Sequence, residues 1–234
     1  MHSNDVGVVL VHGAWADGSS WSKIIRPLAA EGIRVAAPPL PLTSFQDDLA
    51  ALDRALERMG GTVVLAGHAY GGAVIGGTRS EKVGALVYVA GLAPDEGETV
   101  ANVFYRTAAH PRAPKLAPDA HGSIYLPDEA FGAAFAQNAG AEELAVLAAV
   151  QKPISPDCIT VPVQRPLWKD CPAWFLVAEE DRMIAGGNQR FMAERMRARA
   201  RSHPVDHMAM LTAPGVVLDI LREAIAAVRT GNAA

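Results

Sequence analysis

The 234-residue sequence predicts a single α/β domain: a mostly parallel sheet of about six strands, carrying a helical insertion. Three observations lead there. Short apolar runs rich in valine alternate with stretches whose apolar residues recur at helical spacing. Between Leu92 and Trp168 that alternation stops, and nine of the sixteen prolines lie there. The third is Gly67-His68-Ala69-Tyr70-Gly71-Gly72, where an apolar run turns at once into a small-residue segment.

In chain order, Val6 to Val11 is a continuous apolar run, as expected of a strand covered on both faces. His12-Gly13 ends it. Ser19 or Ser20 caps a helix through Trp21, Ile24, Ile25 and Leu28, and Glu31-Gly32 stops it. Arg34 to Ala37 is a short strand cut by Pro38-Pro39. Thr43 or Ser44 caps a helix carrying Phe45, Leu49, Leu52, Leu56 and Met59 on one face, ended by Gly60-Gly61. Thr62 to Ala66 and Ala85 to Val89 are the next strands. This spacing implies parallel strands joined by right-handed crossovers. In the proline-rich stretch, two helix-like pieces at 128–137 and 141–151 sit between irregular connections. That fits a cap of about 92–168 set into a core of about 1–91 and 169–234. Ala173 to Ala178 resumes the sheet. A helix with Phe191, Met192 and Met196 follows, then a strand near Arg199 to Val205, and Pro214 opens a C-terminal helix with Thr212 at its cap.

Composition narrows the function classes. Half the residues are apolar, a fifth are charged and the formal charge is −4, the balance of an ordinary globular protein. The arginine-rich segment 195–201 alternates with alanine and methionine and reads as a solvated helix face, so no nucleic-acid partner is expected. No segment approaches the roughly 18 apolar residues of a membrane span. Residues 1–5 lack a basic leader, so the chain is expected to be cytoplasmic and without a membrane partner. Cys158 and Cys171 have no metal spacing and read as a reduced pair, with a single disulfide as the alternative.

A strand that turns at once into a helix strains its apex residue and needs small neighbours on either side, because the two arms nearly touch. Those are the mechanics of a nucleophile elbow, but the apex here is Ala69 and not serine. Together with Val8-Val9-Leu10-Val11-His12-Gly13-Ala14-Trp15, this stretch resembles the α/β-hydrolase superfamily, most of all its small methyl-esterase and hydroxynitrile-lyase group. The likeness runs through the chain except for the central stretch. In those relatives the apex is serine. Ala69 is therefore either a deliberate Ser→Ala replacement or a natural change of chemistry.

Triad chemistry needs a nucleophile at a strand end, a histidine that reaches it and a carboxylate that orients the histidine. In this fold class the order is nucleophile, acid, histidine, which here is Ala69, Asp181, His207. Glu179, Glu180 and Asp95 are rival acids, and only the resemblance of Glu180-Asp181-Arg182 to the family pattern selects Asp181. His207 follows the last strand, where the family places its base, and His203 is the rival. His68 is expected to point away from the site and pack. Tyr70, after the apex, supplies one oxyanion N–H, and the resemblance assigns the other to Ala14.

The parent activity implied is hydrolysis of a small ester or lactone through an acyl-enzyme, without a cofactor or metal, by a monomer or homodimer. One alternative is a lyase of the hydroxynitrile type, although those lyases carry a lysine just after the histidine and this chain has Met208. Another is a ligand-binding member without catalysis. Trp15, Tyr105, Tyr125 and Trp168 are the candidate substrate-binding residues, drawn from a wider set that includes Trp21, Phe104, Phe131 and Phe135.

Overall fold

The computed structural model describes residues 6–231, so the reading of residues 1–5 lies outside it. Six strands form one sheet: β1 (Val6–Val11), β2 (Val35–Ala36), β3 (Thr62–His68), β4 (Val83–Val89), β5 (Ala173–Ala178) and β6 (Arg199–His203). Their order is β2-β1-β3-β4-β5-β6, and every pairing is parallel. All strand C-termini therefore meet at one edge. From β1 the chain steps outward to β2, then returns to β3 on the other side of β1. The crevice where the strand order reverses is thus flanked by the loops after β1 and β3.

β1 and β5 are buried at every residue, which explains their unbroken apolar sequences: helices cover both faces. Helix α1 (Ser22–Ala30) packs with the C-terminal α9 (Pro214–Thr230), while α2 (Phe45–Arg58) packs with α3 (Tyr70–Gly77). Ser44 caps α2 by accepting the Asp47 N–H, a contribution of about 1 kcal/mol. Before α1 lies a 3-10 turn, Gly18–Trp21, whose cap is Asp17, not a serine. α7 (Gly186–Arg195) precedes β6, and a short α8 (Ala209–Thr212) intervenes before α9. Thr212 does not cap α9. Its hydroxyl donates to Asp206 Oδ1 at 2.5 Å, and Ala213 takes the cap position. Segment 195–201 is likewise not a helix face but the end of α7 and the start of the edge strand β6. Arg195 there pairs with Glu98, and Arg201 with Glu223.

Between β4 and β5 lie α4 (Val100–Phe104), α5 (Asp128–Ala130) running into a π-turn at Phe131–Phe135, and α6 (Ala141–Val150). An isolated antiparallel bridge joins Ile124 to Ile154. Both cysteines are free thiols. Among the described residues no helix is long and apolar enough to cross a membrane.

Candidate active site

Four strand ends converge at the sheet's C-terminal edge. The tightest is the turn from β3 to α3. Ala69 has φ 47° and ψ −118°, a conformation that an L-residue rarely adopts. Glycines make it feasible. A β-carbon on Gly67 would lie 2.5 Å from Gly71 O, and one on Gly71 would lie 2.6 Å from Val11 O. The Ala69 carbonyl accepts from Gly72 N at 3.0 Å and Leu92 N at 2.9 Å, tying the apex to the chain after β4.

Asp181 follows β5. Its Oδ1 accepts from the N–H groups of Met183 (2.7 Å) and Ile184 (2.8 Å), and its Oδ2 from Gln189 Nε2 (2.8 Å). The fourth contact is His207 Nδ1 at 2.7 Å from Oδ2. Both side chains are buried. An ionised carboxylate in that position makes Nδ1 the protonated nitrogen, leaving Nε2 as the basic one. Asp95 instead pairs with Lys169, and Glu179 with Arg190, so neither rival reaches the histidine.

His207 is clamped. Its ring lies 4.6 Å from that of His68 and 5.3 Å from that of Phe135. His68 Nε2 bonds the His207 carbonyl at 2.9 Å, and burial holds the His68 ring well below its ordinary pKa, so Nε2–H is the donor. His68 thus packs, as the sequence suggested, but against His207 itself.

Ala14, after β1, is held through its neighbours. His12 Nδ1 donates to Gly13 O at 2.8 Å, while His12 Nε2 accepts from Leu40 N at 2.9 Å. Burial lowers the His12 pKa to about 4, which keeps this neutral tautomer in place. A trans peptide carries its C=O and N–H on opposite sides, so fixing Gly13 O aims Ala14 N–H the other way. Among the described residues neither Ala14 N–H nor Tyr70 N–H donates to a protein acceptor.

The Tyr70 side chain is anchored elsewhere. Its hydroxyl donates to Asp48 Oδ2 at 2.6 Å, and Leu42 N donates to Asp48 Oδ1 at 2.8 Å. Burial raises the pKa values of both Asp48 and Tyr70. The sequence reading missed Asp48, yet it left a signal: an acid on the apolar stripe of α2, three residues after Phe45 and four before Leu52. Gln189, equally buried and bonded to Asp181, had no such signal.

Ala14, Ala69, Tyr70 and His207 open on one cavity of about 600 Å³, including its mouth. Its other walls are hydrocarbon, from Leu92, Val100, Leu116, Ile124, Ile154 and Ile184 among others. Trp15, Tyr105 and Phe104 line it. Tyr125 and Trp168 do not, which corrects the sequence reading. Tyr125 is half exposed, and Trp168 is buried with its indole donating to Pro94 O at 3.3 Å. Trp21, Phe131 and Phe135 are core residues. Among the described residues no three His, Cys, Asp or Glu side chains are grouped to hold a metal.

A family model described as the alpha/beta hydrolase family matches residues 8–220. Among solved structures, polyneuridine aldehyde esterase is similar at TM-score 0.80 and 21% identity, covering 94% of this chain and 98% of its own. A His→Ala variant of tomato methylketone synthase I, complexed with β-ketoheptanoate, is similar at TM-score 0.82 and 19% identity, covering 96% and 99%. A methylesterase from Arabidopsis is similar at TM-score 0.77 and 16% identity, covering 94% and 99%. No curated protein matches the chain by sequence.

Proposed function

Because the chain belongs to the alpha/beta hydrolase family, we propose that its site is built for acyl transfer from a small ester or lactone, and that with Ala69 it holds such a compound without cleaving it. The observation that carries this reading is the strained apex at Ala69, kept in a cavity shared with a carboxylate-oriented histidine. With serine at the apex, Oγ would attack the carbonyl carbon and His207 Nε2 would take its proton. Asp181 would orient His207 and stabilise its charged form. The Ala14 and Tyr70 N–H groups would bind the oxyanion. His207 would then return its proton to the leaving alcohol, and water would release the acyl group by the same route. No cofactor enters this sequence. Residues of the 92–168 segment would serve as the cap, providing the apolar walls and hence the substrate's shape. Esterase neighbours of the same fold support the reading.

The test is Ala69→Ser, assayed with p-nitrophenyl acetate and butyrate. Loss of a triad nucleophile costs on the order of a million-fold in turnover, so the serine form is expected to gain several orders of magnitude. Turnover within tenfold of the Ala69 chain would defeat the acyl-transfer reading.

One observation favours a second reading. The base, its carboxylate and two free N–H donors are complete without a nucleophile, which suffices for proton-transfer chemistry on a carbonyl compound. The similar methylketone synthase structure holds a β-keto acid. Conversion of a β-keto acid or a cyanohydrin by the Ala69 chain itself, abolished by His207→Ala, would establish this acid–base activity in place of acyl transfer.

A further inference from the structure

We infer that Trp15 is a positioning residue: its left-handed backbone, latched to the segment above the cavity, keeps Ala14 N–H aimed at a bound carbonyl. This rests on the oxyanion role proposed for Ala14. Trp15 has φ 58°, a region that disfavours a bulky L-residue. Two hydrogen bonds hold it there. Its N–H donates to Lys152 O at 3.0 Å, and its indole Nε1–H donates to Ile124 O at 2.9 Å. The two acceptors lie on either side of the Ile124–Ile154 bridge, and the ring meets Phe135 edge-on at 6.3 Å. One such bond roughly offsets the strain, and two exceed it.

Geometry ties this latch to Ala14. The peptide before Ala14 is fixed by His12 at Gly13 O, and the peptide after it is fixed by Lys152 O at Trp15 N–H. Ala14 is held from both sides, and among the described residues its own N–H has no protein acceptor. A right-handed Trp15 would carry its indole away from Ile124 and rotate the chain that follows the oxyanion peptide.

Glycine and alanine at position 15 separate this role from packing. Both lose the indole, but glycine adopts the left-handed region without strain and alanine does not. In the Ala69→Ser form, Trp15→Ala is expected to lower kcat at least tenfold. Trp15→Gly should stay within about threefold in kcat while its KM rises, since the cavity wall is lost from both. A residue that only fills space gives the opposite order, because alanine keeps more volume. An Ala form as active as the Gly form, or more so, overturns the inference. Trp15→Phe keeps an aromatic ring of smaller size and loses the indole bond. If either small variant does not fold, a three- to tenfold fall in its kcat at near-constant KM supports the latch, and an unchanged kcat overturns it. A second readout uses the Ala69 chain, which consumes nothing: the infrared carbonyl band of p-nitrophenyl butyrate carrying ¹³C at the carbonyl. The band is expected to move to lower frequency on binding, to stay there in Trp15→Gly and to move part of the way back in Trp15→Ala, where Tyr70 N–H still donates. No shift in the parent chain removes Ala14 as a donor, and the inference with it. If Ala69→Ser turns nothing over, acyl transfer fails, while the band still decides the role of Trp15.

Discussion

The site has two sides that are built differently. On the strand-end side each polar group is fixed by several bonds: Asp181 accepts four, His207 lies between two rings, and His12 uses both ring nitrogens. On the side supplied by residues 92–168 the walls are apolar, and the stretch 106–122 is mostly exposed turn and coil. A reaction needs its charges placed to a fraction of an ångström, whereas an apolar wall needs only shape. On the reading proposed, the charges are placed by the strand ends and the shape largely by the inserted segment, and the two meet where Phe135 packs on His207 and where Ile124 and Lys152 hold Trp15.

The contrast is sharpest at Asp181. In the Ala69→Ser form, Asp181→Asn removes the charge that fixes the His207 tautomer while leaving the shape, and p-nitrophenyl ester turnover is expected to fall by about 10²- to 10⁴-fold. A fall of less than threefold would show that the strand-end side does not set the chemistry.

Acid should find the same side first. Burial lowers the His12 pKa from its ordinary 6.5 to about 4, so below pH 6.5 the unfolded chain takes up a proton that the folded chain refuses. The stability tied to this ring is complete above pH 6.5 and is lost as the pH falls to about 4, a span of about 3 kcal/mol. His68 acts in the same direction. Urea unfolding at pH 7, 5.5 and 4.5 should show the loss, and His12→Gln, with no ring to titrate, should lose less over that range. Equal losses in both chains would place the acid sensitivity elsewhere.

The smallest effect belongs to the other side. Tyr125 is half exposed and absent from the cavity wall, so Tyr125→Ala should change stability by no more than about 0.5 kcal/mol and leave KM for p-nitrophenyl butyrate unaltered. A several-fold rise in KM would mean that the wall extends further than the cavity described.

This division also governs what could be read in advance. Strand ends are punctuated: Val11 runs into His12-Gly13, Ala66 into the glycine turn, and Ala178 into Glu179-Glu180-Asp181, so local sequence points to these loops, and within them the family resemblance selects Ala14 and Asp181. The inserted segment has no such periodicity. Trp168 looked like a wall residue because it is aromatic and lies in that segment, yet its indole bonds Pro94, 74 residues earlier, and nothing near it in sequence indicates this. Trp15 and Ile124 are 109 residues apart, a separation over which no spacing rule operates. Asp48 was the one recoverable omission, a charge where the helical stripe called for a hydrophobe.

The glycines around position 69 have a consequence for how such a protein changes over time. The turn's steric demands fall on Gly67 and Gly71, whose β-carbons would strike backbone, while the apex side chain faces the cavity. The apex thus works as a socket for a small side chain, with the strain of its backbone carried by the turn around it. On the reading proposed, serine, cysteine or aspartate placed there would meet the base, the donors and the walls already in position. A change of residue at this one position would then change the chemistry and leave the rest of the site in place.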